Sequence, residues 1–259
     1  MQERHLNRKQ YFEEQAATCE KYYIPYIENI VPVSGLSSIL EIGCADGGNL
    51  LPFAKRGIDV IGVDIMDGFI ELAKENYKEL GIKGTFIATD IFKTDNVLGT
   101  FDMVIVHDVI EHIYDKKNLL LHIKNFLKPG GVVFFGFPAW QMPFGGHQQL
   151  SRNKYISHMP FIHLLPNFIY KGLMKAGKEP ESVMDELLDI KRCRISIGMF
   201  KKLAATTNFE ILDERFYFIN PHYEIKFGLK PRILPKFFSK IPYVRNFYTT
   251  ACFFIIRPV

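Results

Sequence analysis

Ser38-Ile39-Leu40-Glu41-Ile42-Gly43-Cys44-Ala45-Asp46-Gly47-Gly48 is the stretch on which the fold turns. A short apolar run that stops at glycine reads as a buried strand entering a tight turn. Outward from it the same rhythm repeats. Asn49–Arg56 reads as a helix and Asp59–Asp64 as a second buried strand. Asp67–Leu80 carries Phe69, Leu72, Ala73, Tyr77 and Leu80 at helix-face spacing, and Gly81 stops it. Thr85–Ala88, Asp102–His107 and Val132–Phe137 read as further strands. Lys116–Leu127 is a helix closed by Lys128-Pro129-Gly130-Gly131. Strands alternating with helices predict a parallel sheet covered on both faces, with ligands beyond the carboxyl ends of its strands.

Upstream, residues 8–31 read as one or two helices interrupted around Pro25. After Pro138 the alternation breaks. Residues 138–194 hold two helix-like stretches, near 161–175 and 180–190, and read as an inserted helical cap. Ile197–Thr206 returns to helix. Phe209–Ile219 and Asn246–Arg257 read as two more strands, separated by a Pro- and Lys-rich loop at 220–245. The expectation is an α/β fold with a seven-stranded, mostly parallel sheet whose last strand is antiparallel. Residues 1–34 form an N-terminal helical segment, and 35–259 form the main domain with its cap at about 138–194.

Composition sets outer bounds. Apolar residues are 47% and charged residues 23% of 259, ordinary for a globular chain. No run approaches the roughly 18 apolar residues of a membrane span. The opening Met1-Gln2-Glu3-Arg4-His5 has no apolar signal region, so a cytoplasmic location is expected. Cys19, Cys44, Cys193 and Cys252 lack metal-site or redox spacing and read as reduced thiols. The formal charge of +4 is uneven: from Lys191 onward, 13 Lys/Arg stand against 4 Asp/Glu. Such a basic, aromatic-rich C-terminal third suits an anionic partner or a solvated face, and peripheral membrane contact is one expectation.

The turn after the first strand carries the chemistry. Its glycines let a ligand approach the backbone, and Asp64 closes the next strand 21 positions after Gly43, a spacing that suits a carboxylate on ribose hydroxyls. Gly43-x-Ala45-x-x-Gly48 is a degraded dinucleotide fingerprint. Asp46 within the turn would repel a pyrophosphate, and no Tyr-x-x-x-Lys pair occurs in the chain. A ligand bearing a sulfonium and an amino group would instead suit Glu41 and Asp46.

Five ordered segments resemble the motifs of class I S-adenosylmethionine-dependent methyltransferases. They are Ile39–Gly48, Val60–Met66, Phe86–Phe92, Phe101–Ile113 and Leu127–Phe135. The resemblance implies a Rossmann-like fold that binds S-adenosylmethionine and releases S-adenosylhomocysteine. It places Gly43 and Ala45 along the methionine part, with Glu41 and Asp46 close by. Asp64 would hold the ribose, Ile65 and Ile91 would pack beside the adenine, and Asp90 would accept the adenine amino hydrogen. A helix-capping role for Asp90 and core packing for the two isoleucines remain open. His107 would face the methyl group or the amino acid moiety. A cofactor-binding subunit without activity, and an NAD(P)-dependent oxidoreductase, are the alternatives.

The acceptor side rests on fewer residues. Asp108-x-x-Glu111-His112 is similar to the Glu-x-x-Glu-His of ubiquinone-pathway O-methyltransferases and small-RNA 2′-O-methyltransferases, where it can hold a divalent metal. Asp in the first position shortens the reach, and no metal is assigned. His112, His107 and His147 are the candidate catalytic residues, since an oxygen or nitrogen acceptor needs a base. Trp140 and Phe144 could stack on a ring, and Gly145 and Gly146 could act as a hinge. The apolar cap residues Phe161, Leu164, Leu165, Phe168, Ile169 and Tyr170 suggest an enclosed pocket for a small or lipid-like acceptor. No RNA-binding module is recognisable, so nucleic acid is not the expected partner.

Overall fold

The computed structural model describes residues 7–94 and 98–259; the polar opening Met1–His5 lies outside them. Its centre is an eight-stranded sheet in the order β3-β2-β1-β4-β5-β8-β6-β7. The strands are β1 Ser38–Ile42, β2 Asp59–Asp64, β3 Thr85–Ala88, β4 Phe101–His107, β5 Leu127–Phe137, β6 Phe209–Ile219, β7 Arg232–Ile233 and β8 Ala251–Pro258. The first five are mutually parallel. β8 inserts antiparallel between β5 and β6. The seven expected strands are present, two with starts moved by several residues: β5 begins at Leu127 and so takes in the expected Lys128–Gly131 turn, and β8 begins only at Ala251, because Val244–Phe247 is helical where the strand is expected from Asn246. The eighth, β7, is a two-residue pairing with β6 inside the expected 220–245 loop. It lies among Pro231 and Pro235, where strand propensity gives no signal.

Twelve α-helices surround the sheet among the described residues: α1 Arg8–Thr18, α2 Ile24–Glu28, α3 Leu51–Lys55, α4 Asp67–Leu80, α5 Lys116–Ile123, α6 Lys154–His158, α7 Asn167–Ala176, α8 Glu181–Cys193, α9 Ile197–Thr206, α10 His222–Phe227, α11 Lys236–Ser239 and α12 Val244–Phe247. Strand residues alternate between two cores, as the pleat requires. Leu40, Val104, Val106, Phe135 and Phe254 face α5 and α9. Ile39, Met103, Ile105, Phe134 and Phe253 face α1 to α4. The segment 138–194 has a small core of its own, built on Trp140, Ile156, Tyr170, Met174 and Leu187. The four cysteines are buried free thiols.

The expected interruption at Pro25 takes another form. Cys19–Tyr23 is a single π-helical turn, with Ile24 N–H bonded five residues back to Cys19 O, and Pro25 sits in the first turn of α2. A proline there needs no N–H, and the widened turn before it absorbs the steric conflict, so the helix continues without a break. Asp67–Leu80 is a helix as expected, capped by Gly81 in the left-handed region. No helix among the described residues is long and apolar enough to cross a membrane.

Candidate active site

The sheet order reverses between β1 and β4, so a crevice opens beyond their carboxyl ends. The turn after β1 is tightly fitted. Gly43 has φ +73°, and a Cβ there would meet Val109 Cγ2 at 2.2 Å. Val109 belongs to the loop after β4, so the two strand-end loops touch with no room for a side chain. Ala45 also takes a positive φ, 46°. That cost is offset by a bond: Ala45 N–H donates to Asp64 Oδ2 at 3.0 Å, and Met66 N–H donates to Asp64 Oδ1 at 3.0 Å. Asp64 thus pins the glycine turn to the end of β2.

Two carboxyls lie buried beside this turn. Glu41 is fully buried and its Oε1 accepts from Asn49 Nδ2 at 2.8 Å. Burial pushes its carboxyl up to about 8, against the Asn49 bond. Asp46 is fully buried and lies 2.8 Å from Arg8 Nη2. Desolvation still raises its carboxyl above the ordinary value, with Arg8 opposing. Among the described residues, Glu41 Oε2 and both Asp46 oxygens lack a well-directed hydrogen bond. Buried acceptors without donors are costly, so the turn is complementary to a cationic ligand. Arg8 itself lies over the rings of Phe69 and Tyr11, 4.4 Å and 4.8 Å away.

Ile65 is 71% exposed beside Asp64, outside the core. Ile91 is buried in the sheet core. Asp90 caps a short 3₁₀ turn, accepting Phe92 N–H at 3.1 Å, with Lys93 Nζ 3.9 Å from its other oxygen. His107 is enclosed: its ring stacks on Tyr23 at 4.7 Å, and only a glycine at 136 leaves it space, since a Cβ there would lie 2.3 Å away. Its Nδ1 lies 3.3 Å from Asp108 Oδ2. Desolvation works against the Asp108 charge, but His107, His147 and His222 together hold that carboxyl below its ordinary value.

Next to the crevice is a cleft of about 370 Å³ whose walls include Tyr11, Asp108, Glu111, His112, His147 and His222. His112 and His147 meet edge to face at 5.0 Å. One donor atom from each of Glu111, His112 and His147 lies within 4.8 Å of the others, a spacing that could hold a metal ion. Glu111 is buried with neither carboxyl oxygen partnered among the described residues. Burial, reinforced by the Asp108 charge, drives its carboxyl well above the usual range. Burial also lowers His112, and it lowers His147 to about 4, so both imidazoles are neutral at pH 7. Asp108 has φ +53° and stands before the 3₁₀ turn Ile110–His112. Asp108 therefore lies outside any helical turn, and His147 rather than Asp108 joins Glu111 and His112.

Several cap expectations change. Trp140 is part of the cap's own core, its carbonyl accepting from His163 Nε2 at 2.8 Å, and it does not line the cleft. Gly145 and Gly146 are close-packing positions, not an open hinge: a Cβ would meet Trp140 O and His163 Cβ at 2.3 and 2.2 Å. Phe168 and Ile169 face solvent and Tyr170 fills the cap core, so the apolar cap residues do not enclose the cleft. Its walls mix polar side chains such as Asp108, Gln149 and Asn220 with apolar Met142, Phe144 and Leu150. The sequence reading missed Arg8, Tyr11 and His222. Thr18 Oγ1 lies 2.9 Å from His222 Nδ1, and Lys21 pairs with Glu224 at 2.9 Å, so α1 and α10 close the cleft together. Nothing local marks residues 204 apart as neighbours.

A reversal of strand order with a glycine turn and an acidic end to β2 beside it is the arrangement the methyltransferase resemblance implies. Residues 39–131 match the family model described as methyltransferase domain. The ubiquinone biosynthesis O-methyltransferase of Coxiella burnetii is 30% identical over 114 residues, 43% of this chain and 47% of that one. The same enzyme of Rhizobium etli is 33% identical over 105 residues, 40% of this chain and 41% of that one. The chain thus matches about half the length of these curated relatives. Magnesium protoporphyrin IX methyltransferase of Synechocystis, solved with S-adenosylhomocysteine, superposes with a TM-score of 0.54 at 13% identity, covering 95% of this chain and 84% of that one. A methyltransferase of Clostridium acetobutylicum gives 0.56 at 13% identity, covering 95% and 92%. Residues 39–131 therefore carry the likeness to a methyltransferase domain, and the chain as a whole shares the fold of solved S-adenosylmethionine-dependent methyltransferases.

Proposed function

We propose that this chain transfers the methyl group of S-adenosylmethionine to an oxygen or nitrogen of a small-molecule acceptor held in the cleft. The observation that carries this reading is the contact between the two compartments: Val109 fills the space a side chain at Gly43 would need, so the glycine turn abuts the loop bearing Asp108, Glu111 and His112. When bound, the cofactor supplies an electrophilic methyl group on a sulfonium, open to in-line displacement, and leaves as S-adenosylhomocysteine. The chain's residues suit it. Asp64 keeps lone pairs for ribose hydroxyls beside its two backbone bonds, and the exposed Ile65 offers an apolar face to the base. Glu41 Oε2 and the Asp46 oxygen not facing Arg8 provide buried acceptors for an ammonium group. Arg8 is placed to meet the cofactor carboxylate.

On the acceptor side, His112 is the base and His147 its neighbour. Both are neutral at pH 7 by burial, so either imidazole can take a proton from an acceptor hydroxyl, or from the ammonium that a free amine becomes, as the methyl group arrives. A second reading is favoured by the unpartnered carboxyl of Glu111. With His112 and His147 it would hold a divalent cation, which would orient and acidify an acceptor hydroxyl. Incubation with methyl-labelled cofactor and pools of phenols, catechols, amines and carboxylic acids tests the reading. Transfer to one class, lowered at least about 100-fold in kcat by His112→Ala at unchanged cofactor affinity, is the expected result. Tight cofactor binding without transfer to any acceptor would favour a non-catalytic subunit, and NADH binding would favour an oxidoreductase.

A further inference from the structure

The excursion between β6 and β8 is built unlike the rest of the surface. From residue 225 to the end at 259 the chain has seven Lys/Arg and no Asp or Glu. Among the described residues, no carboxylate pairs with Lys230, Arg232, Lys236 or Lys240, all of them exposed. Interleaved with these cations are large apolar side chains that the fold leaves uncovered: Ile233 is 58%, Phe237 72% and Tyr243 64% exposed. They are joined into strings. Phe237 meets Phe238 and Phe238 meets Tyr248, each at 5.6 Å. Tyr243 meets Phe247 at 5.4 Å, and Phe247 meets Phe161 of the cap at 6.3 Å. A single exposed aromatic is ordinary; a connected set ringed by unpaired cations marks an interaction surface.

We propose that this excursion, residues 225–248 with the adjoining cap edge at Phe161, docks the protein on an anionic phospholipid surface. The charge is complementary to acidic headgroups, and each cation near such a surface adds to binding. Aromatic side chains flanked by Lys and Arg belong at the headgroup–acyl boundary. The aliphatic members, Leu229, Ile233 and Val244, decide against nucleic acid, which offers stacking faces but no apolar interior. A cavity of about 480 Å³ lies on the same side, between Arg152 and Lys154 of the cap and Phe227 and Leu229 of the excursion. It shares Phe144, Gln149 and Tyr223 with the candidate acceptor cleft, and so forms its vestibule. Docking would bring that vestibule to the bilayer, where an amphipathic acceptor is drawn from the lipid phase rather than from water.

Vesicle co-sedimentation of the full chain tests this without cofactor or acceptor, so its failure and the failure of the methyl-transfer reading are separate. Vesicles of phosphatidylcholine with phosphatidylglycerol should bind at least about tenfold more tightly than phosphatidylcholine alone, and less tightly as salt rises. The double variant Lys236→Ala/Lys240→Ala should lose about 30-fold in affinity for the acidic vesicles. Phe237→Ser/Phe238→Ser should also weaken binding, at low salt as well, with an unchanged thermal midpoint since both rings are exposed. Equal binding to both vesicle types, binding to neither, or full affinity in the Phe variant would overturn the proposal. Binding of single-stranded RNA in place of vesicles, or self-association abolished by the same substitutions, would overturn it in favour of those occupants.

Discussion

Asp64→Ala separates the two duties placed on one carboxylate. In the free protein its oxygens accept Ala45 N–H and Met66 N–H, both at 3.0 Å. Both donors lie at the edge of the crevice and can turn to water once the carboxylate is gone, so the stability loss should be about 1 kcal/mol. With cofactor bound, the variant also lacks a charged acceptor for a ribose hydroxyl. A hydrogen bond to a charged group is worth about 1.5–3 kcal/mol, which raises Kd about 10- to 150-fold. Titration calorimetry with S-adenosylhomocysteine gives this number, and a thermal melt shows whether the fold survives. Loosening of the Ala45 turn could imitate the effect, and a double-mutant cycle removes that ambiguity. The 2′,3′-dideoxy analogue should bind the natural protein much more weakly than the parent compound, and should bind Asp64→Ala no more weakly than the parent does. If the analogue loses the same affinity in both proteins, Asp64 does not touch the sugar and the cofactor placement is wrong.

Three other tests follow from the site. Glu41 has a folded pKa of about 8 against an ordinary 4.5, so the folded state holds an extra proton between these values. Its contribution to stability is complete below about pH 4.5 and is lost as pH rises through 8, at up to about 1 kcal/mol per pH unit. Urea unfolding from pH 6 to 9 should show this decline, and Glu41→Gln should flatten it; a rising curve contradicts the buried, protonated acid. Gly43→Ala forces a β-carbon against Val109 at φ +73° and should cost about 1–3 kcal/mol, with partial recovery in Gly43→Ala/Val109→Ala. An undiminished urea midpoint would show that the strand-end loops are not in contact. Addition of Mn²⁺ or Zn²⁺ should raise the thermal midpoint if Glu111, His112 and His147 form a metal site, and His147→Ala should abolish the rise. No shift in the natural protein leaves the base reading alone.

The sheet was legible because its strands are buried on both faces and read as apolar runs between glycines and acids. Asp59–Asp64, Asp67–Leu80 and Ile197–Thr206 fall where periodicity puts them. β7 was not legible, since two residues between prolines carry no periodicity. The glycine turn and Asp64 could be found from spacing, since both lie at adjacent strand ends. The cleft could not: His147 approaches His112 only because the chain after β5 folds back at Gly145 and Gly146, where backbone and cap touch without side chains. Trp140 and Phe168 show the converse. Both are aromatic in the right segment, yet one fills a core and the other faces water, a difference set by long-range packing.

The two compartments draw on separate stretches of chain. The glycine turn, Asp64 and the Glu111–His112 pair all lie within residues 39–131, the span shared with the methyltransferase domain model. Most other walls of the cleft, from Tyr11 through Met142 and Leu150 to Asn220, Tyr223 and Thr250, come from before or after that span. Evolution can therefore keep the engine and exchange the vessel around it. Kinship measured on the central hundred residues therefore speaks for the glycine turn and Asp64, while most of the cleft lies in flanks outside the matched span.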